Sequence, residues 1–437
     1  MDINSRTMVG FGIREITPSV MVPMSGYDLR RACAEGVHDP LAVRAIAFGD
    51  PTFGDPAIGE AHPIVMIAFD LLGFPSYHAE PLRKRLSARF GIPRSSILCG
   101  AIHTHAAPKT IFNSFDCYDD AYVDYVLHQA EEAVAQAMAE REVRSVRYAE
   151  KTVEAVGCFR DAVAEESRFA MPTQTLWFEK ENSAPIALTV YACHPTVLSE
   201  ANLLMSRDLV WGCEKALSEA VPGIKTIFFN GACADISTRY TRRESTFAEA
   251  ERLGAAWAEA IAAGRAEAKP VGDADRTAVL AENVYIPPAE FFTGEKRASV
   301  LAYLKNKIDA CEDERRRREY ISCALVLERK NYGLGADGKP RGGENVYVAA
   351  ARFGDVQFVF LPFEYAQKDA ALLKEDAEKD FGGHCIVVCY SNGYDGYLPS
   401  GRPLDQDSGY EDMASGYRSD AKELTKETLM GLLTKLI

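Results

Sequence analysis

Positive charge is in short supply in this chain. Its 49 Lys and Arg stand against 63 Asp and Glu, a net charge of −14. Nucleic acid and anionic membrane surfaces, which require a basic face, are therefore not expected partners. No apolar run approaches the roughly 18–20 residues that cross a bilayer. The opening Met1-Asp-Ile-Asn-Ser-Arg-Thr-Met-Val-Gly10 lacks a basic start followed by an apolar core, so no secretory leader is expected. The 11 cysteines are odd in number and include no Cys-x-x-Cys pair, which leaves reduced core thiols and a cytoplasmic address as the expectation. Cys99, Cys193, Cys233, Cys385 and Cys389 lie in or beside apolar runs, where a thiol behaves as a small hydrophobe. A Gly-x-Ser-x-Gly elbow, an internal repeat and a low-complexity segment are also missing.

What is present is ordinary for a soluble enzyme: 437 residues, 47% hydrophobic and 26% charged. Length alone allows one large core or two domains. Short β-branched runs alternate with amphipathic stretches, which predicts an α/β layered fold. Strands are expected at Ile64–Asp70, Ile97–Ile102, Ser145–Ala149, Thr175–Phe178, Ile186–Cys193, Lys225–Phe229, Val346–Arg352, Gln357–Leu361 and Cys385–Tyr390. Helices are expected at Ser76–Phe90, Asp120–Arg141, Val210–Ala220, Glu244–Glu267, Glu364–Phe381 and Arg418–Ile437. Residues 298–330 carry the mixed-charge block Glu312-Asp-Glu-Arg-Arg-Arg-Arg-Glu319 and read as a helical hairpin or lid inserted into the body. The glycine-rich stretch 331–343 that follows has no phosphate-loop spacing and reads as a lid or a plain linker.

The sharpest local signal is His103-Thr104-His105, where the strand beginning at Ile97 runs out. Neutral imidazole is the commonest protein metal ligand, although His-x-His alone is a weak motif. A second strand-end histidine, His194, follows Ile186-Ala-Leu-Thr-Val-Tyr-Ala-Cys193. Ligands of open α/β sheets bind beyond the carboxyl ends of strands. That rule selects Asp70, His103, His194, the Asn230–Ser237 segment, Glu364 and the Ser391–Tyr397 loop. Two or three histidines, a glutamate and a tyrosine form a mixed nitrogen and oxygen shell suited to zinc with one open position. Zinc would lower the pKa of bound water and polarise a carbonyl, with Ser237 nearby as nucleophile or oxyanion donor.

Each residue also has a plainer reading. His194, preceding Pro195, suits a turn; Glu364 suits the first turn of a helix, where a carboxylate meets the dipole; Ser237 suits a cap. Tyr394 and Tyr397 suit packing over a sheet edge, and His38, before Asp39-Pro40, suits a turn or a group behind the ligands. His62, His78, His128 and His384 have no comparable setting.

Together the motifs resemble the catalytic domain of neutral, non-lysosomal ceramidases and their shorter bacterial relatives. Gly10-Phe-Gly-Ile-Arg-Glu-Ile-Thr-Pro18, Met24-Ser-Gly-Tyr27 and Gly36-Val-His-Asp-Pro-Leu-Ala-Val-Arg-Ala45 are similar to the family's opening segments. His103-Thr-His-Ala-Ala-Pro108 resembles its His-Thr-His-Ser-Gly-Pro motif, and His194-Pro-Thr with Ser206-Arg-Asp208 its second histidine segment. Asp235-Ile-Ser237, Pro362-Phe-Glu364 and Asn392-Gly-Tyr-Asp-Gly-Tyr397 match its serine, glutamate and tyrosine motifs, in order. The resemblance spans most of the chain and is weakest over 298–343.

The resemblance implies one catalytic domain over 1–437, with 298–343 an insertion. It implies that His103, His194, Glu364 and either Tyr394 or Tyr397 hold Zn2+, with His105 facing the substrate carbonyl. Ser237 would be the nucleophile or the oxyanion contact, and the reaction hydrolysis of an amide or ester. Two departures stand out: Ala106-Ala107 replaces the family's Ser-Gly, and Thr238-Arg-Tyr-Thr-Arg-Arg243 replaces its Pro-Asn. That basic run suits either an anionic substrate group or a surface turn. With no leader and no β-rich C-terminal domain, a small soluble substrate is expected rather than long-chain ceramide, and a homo-oligomer is compatible with the sequence. Two rival readings are a metal-independent serine hydrolase using Ser237, His105 and Asp235, and a ligand-binding relative without turnover.

Overall fold

The computed structural model describes residues 5–27, 29–49, 62–111, 119–160, 170–274, 276–289, 294–329, 344–401 and 410–436. Its centre is a nine-stranded mixed sheet. The order across it is Lys225–Asn230, Ile186–Tyr191, Ala170–Glu179, Glu142–Glu154, Arg6–Glu15, Ala42–Phe48, Ile64–Phe69 and Ile97–Ala101, and the short Lys269–Pro270 pairs with Glu142–Glu154. A four-stranded sheet runs Thr277–Ile286, Glu344–Phe353, Val356–Phe360, His384–Val388.

The two sheets pack face to face, and strand alternation shows how. Ile46, Phe48, Ile64, Met66 and Phe229 of the large sheet meet Phe353, Phe358, Phe360 and Ile386 of the small one. Successive side chains point to opposite faces. Accordingly Ala45, Ala47, Val65 and Ile67 turn the other way, onto the helices Ser76–Phe90 and Asp120–Ala139. Val359 and Leu361 likewise join the core that includes the helices Gln367–Phe381 and Ala421–Leu436. The strands are covered on both faces, which explains their continuous apolar runs.

This is the expected α/β layering, with helices flanking mixed sheets. The predicted helices appear with ends moved by a few residues: Leu209–Ala220, Phe247–Glu267 and Ala421–Leu436 among them. One shift matters: the helix expected from Glu364 starts at Gln367, with Ala366 as its N-cap, so Glu364 lies outside it. The insertion is a helical hairpin, Gly294–Ala310 and Glu314–Arg329, which shares a small core with Met413. The glycine-rich stretch 331–343 lies outside the described residues. Three long strands escaped sequence reading: Arg6–Glu15, Ala42–Phe48 and Thr277–Ile286. Arg14 and Arg44 interrupt the first two, and glutamate and asparagine interrupt the third at Glu282 and Asn283. Among the described residues all cysteines are free thiols, and no helix is long and apolar enough to cross a membrane.

Three parallel strand pairs position the site: Ile64–Phe69 with Ile97–Ala101, Ile186–Tyr191 with Lys225–Asn230, and Val356–Phe360 with His384–Val388. Their carboxyl ends come together. Gly100 pairs with Ser391 across the two sheets, and a Cβ there would come within 2.8 Å of the Phe229 ring. Glycine permits this approach of strands from opposite ends of the large sheet.

Candidate active site

The buried side chain of Asn230 ties the strand ends together. Its amide donates to the carbonyls of Ile102 and Cys193, both at 3.1 Å, and its Oδ1 accepts from Cys193 N at 3.3 Å. Its own carbonyl accepts from Cys389 N at 3.0 Å. Ile102, Cys193 and Cys389 immediately precede His103, His194 and Tyr390. One asparagine thus aligns three strand ends.

Beyond them four imidazole and carboxylate groups converge. The Nδ1 of His103 lies 2.7 Å from the Leu72 carbonyl, and that of His194 lies 2.6 Å from the Cys233 carbonyl and 3.0 Å from that of Ile236. Carbonyls only accept, so both Nδ1 atoms carry the hydrogen and both Nε2 atoms turn to the site, each with a lone pair when its ring is neutral. Glu364 Oε2 sits 3.1 Å from His194 Nε2 and 3.5 Å from His103 Nε2. His105 Nε2 is 3.4 Å from His103 Nε2, and ligand atoms of His103, His105 and His194 all fall within 4.8 Å of one another. The His105 Nδ1 is buried without a hydrogen-bond partner among the described residues.

The electrostatics run the same way. Burial lowers His194 to about 3 and takes His105 well below the ordinary histidine range. Burial would raise Glu364, but the rings of His103 and His194 outweigh it and hold the carboxyl well below the usual range. At neutral pH the cluster therefore combines an ionised carboxylate with unprotonated rings at His105 and His194. An Nε2 lone pair facing a carboxylate lone pair at 3.1 Å is repulsive unless a proton or a cation lies between them. This donor set fits a zinc-type cation.

Aromatic rings frame the cluster. Tyr394 donates its hydroxyl to Glu364 Oε1 at 2.6 Å. Tyr390 stacks on His103 with centroids 4.2 Å apart, and Tyr27 packs against His105 at 5.0 Å. The Tyr397 backbone bridges to Glu364, and its hydroxyl lies 3.4 Å from Arg160 Nη1. Non-glycine residues with positive φ gather here: His103 at 68°, Asp208 at 54°, Tyr390 at 54° and Asn392 at 61°. Such strain persists where surrounding structure over-determines it, and it concentrates at functional sites.

Ser237 is buried on the short strand Ile236–Ser237, beside His194, with its Oγ accepting from Arg239 N at 3.3 Å. The Asp235–His105–Ser237 alternative lacks its orienting contact through Nδ1: that atom has no partner, and Asp235 Oδ1 accepts from Gln367 N at 2.7 Å.

The remaining sequence candidates go elsewhere. Asp70 accepts from Ala42 N and pairs with Arg44 at 2.8 Å, because the strand pairing places Arg44 behind it. The basic run after Ser237 is engaged with the protein: Arg239 pairs with Glu319 of the hairpin, and Arg242 donates to the Thr196 carbonyl. His38 stacks on Phe247 and contacts Asp39. Sequence reading missed Arg160, a buried guanidinium between Tyr397 and Glu411. It follows a two-residue strand with no apolar run to mark it. Tyr390 was visible only as a strand end.

The fold now has solved counterparts. A structure described as a ceramidase complexed with C2 aligns over 98% of this chain and 75% of that chain, with a TM-score of 0.75 and 14% identity. A neutral ceramidase from Pseudomonas aeruginosa aligns over 98% of this chain and 74% of its own, again with a TM-score of 0.75 and 14% identity. No family model matches the sequence, and no curated protein does. The chain is a mixed α/β protein with a buried histidine and carboxylate centre, and its fold is that of the neutral ceramidases.

Proposed function

We propose that this chain is a zinc-dependent hydrolase that cleaves an amide (or ester) bond of a small, soluble substrate. One observation carries the reading: the Nε2 atoms of His103 and His194 and the Oε2 of Glu364 converge on one point in a buried pocket, both rings being held there by Nδ1 hydrogen bonds to backbone carbonyls. His103, His194, Glu364 and Tyr394 would hold the cation. Tyr394 is preferred over Tyr397 because its hydroxyl reaches Glu364, whereas that of Tyr397 reaches Arg160.

Zinc, when bound, supplies Lewis acidity and makes water more acidic. The chain's own groups supply the rest. His105, kept neutral by burial, offers an unprotonated ring nitrogen that can accept a proton and then return it to the leaving amine. The Ser237 hydroxyl is the candidate for attack on the carbonyl carbon or for hydrogen bonding to the developing oxyanion. Arg160, although paired with Glu411, is the buried cation whose charge acts on His105 and His194, and it is the candidate to meet negative charge on the substrate or in the transition state.

Elemental analysis of the purified chain beside its His103→Ala and His194→Ala variants, with a screen of N-acyl amino acids and related esters, tests the reading. The expected result is about one zinc per chain in the parent, loss of zinc in both variants, and hydrolysis abolished by chelation. Full zinc in both variants, or turnover that survives exhaustive chelation, would overturn it.

A further inference from the structure

The tripeptide Ser206-Arg207-Asp208 lies away from the converging nitrogen and oxygen atoms, yet it contacts both histidine loops. Thr104 donates its hydroxyl to the Ser206 carbonyl at 2.7 Å, and Ser206 N donates to the Ala106 carbonyl at 2.9 Å. Thr104 and Ala106 flank His105, so this pair of bonds clamps the His103–His105 loop. The Asp208 carboxylate faces the other loop. Its Oδ1 accepts from Val197 N at 3.1 Å and its Oδ2 from Leu198 N at 2.9 Å, closing the turn that follows His194. The same Oδ1 caps the helix Leu209–Ala220 by accepting from Leu209 N at 2.6 Å.

The tripeptide is itself anchored from behind. Asp39 Oδ1 accepts from Arg207 N at 3.0 Å and from Arg207 Nε at 3.1 Å, and its Oδ2 accepts from the Ser206 hydroxyl. Ser206 Oγ in turn accepts from Asp208 N at 2.9 Å. Asp208 reaches this arrangement only at φ 54°, ψ −128°, a conformation that costs a non-glycine residue free energy. Ser206, Arg207 and Asp208 are all buried. Strain and burial of this kind have a local return in simultaneous contact with two loops that are far apart in the chain.

We propose that Asp208 is a positioning residue of the cation site, its carboxylate setting the His194 loop while the Ser206 backbone sets the His103–His105 loop. The inference rests on the zinc reading above. Groups behind metal ligands orient them, and their loss typically weakens binding about tenfold to a hundredfold.

The test compares the full-length chain with Asp208→Ala, Asp208→Asn and Asp119→Ala. Asp119 caps the helix Asp120–Ala139 through Ala121 N and Tyr122 N, so its variant controls for the loss of a helix cap. Zinc affinity is read by competition with a chromophoric chelator, ligand geometry by the visible spectrum of the Co2+ form, and folding by thermal melting. Asp208→Ala is expected to bind zinc about tenfold or more weakly with an altered Co2+ spectrum, and Asp119→Ala to match the parent in both. If Asp208→Ala does not fold, Asp208→Asn carries the test by the same criteria, because it keeps one acceptor for the helix cap and loses the bond to Leu198. Parental affinity and spectrum in a folded Asp208 variant would overturn the proposal alone. A parent chain that binds no zinc would overturn both the proposal and the reading beneath it.

Discussion

Tyr394 donates its hydroxyl to Glu364 Oε1 at 2.6 Å, and this bond leaves Oε2 facing His194 and His103. Tyr394→Phe removes the bond without changing the ring. It is expected to lower kcat/KM about tenfold or more, equivalent to about 1.4 kcal/mol, and to weaken zinc binding. Tyr397→Phe should leave zinc binding unchanged, because its hydroxyl reaches Arg160 instead. Parallel zinc titrations of the two variants check the distinction, and equal weakening would contradict it.

Gly26 faces the ring of His105 at φ 104°, and a Cβ at that position would lie 2.4 Å from His105 Cγ. Gly26→Ala is expected to displace the ring and to cost about 2 kcal/mol or more of stability, combining overpacking with an unfavourable φ. Chemical denaturation and steady-state kinetics check this. A variant with parental stability and turnover would refute the close packing described for His105.

Asp70 belongs to the fold rather than to the reaction. Its carboxylate pairs with Arg44, 5% exposed, and caps Ala42 N. Asp70→Asn should destabilise the chain by about 3 kcal/mol, because it takes one charge from a buried pair. Zinc content per folded chain should not change. Denaturant midpoints and elemental analysis of the folded fraction give the answer.

The same network sets an acid limit on stability. Burial opposes ionisation of Glu214, but Arg44 and Arg207 outweigh it and lower the carboxyl to about 2. A carboxyl with a depressed folded-state pKa contributes its stability above the ordinary value of about 4.3. That contribution is lost as pH falls toward the folded-state value. The melting temperature is therefore expected to drop below about pH 4.5. Glu214→Gln should be less stable at neutral pH and show a shallower acid limb. Parallel acid limbs in the two proteins would exclude Glu214 as the cause.

Much of the site was legible because strand ends are legible. An apolar run that stops at a histidine or just before a glutamate announces itself, and His103, His194 and Glu364 were found that way. Arg160 was not, and Asp208 was marked only by the resemblance of Ser206-Arg-Asp208 to a family segment, because neither ends an apolar run. Their surroundings are built from residues far away in the chain: Tyr397 and Glu411 for Arg160, Val197 and Leu198 for Asp208. Asp70 shows the converse failure. It satisfies the strand-end rule, but only the register of Arg44 beside Ala68 reveals that its partner is structural.

The amino-acid order alone determined the layered α/β class, most helices and the strand-end positions of the imidazoles, since periodicity and turn chemistry are local properties. Tertiary structure decided which strand ends meet, which tyrosine reaches Glu364, and where the arginines after Ser237 point. Those outcomes depend on sheet order and on hydrogen bonds such as those of Asn230 to Ile102 and Cys389, which join residues more than a hundred positions apart. No local pattern encodes such distances.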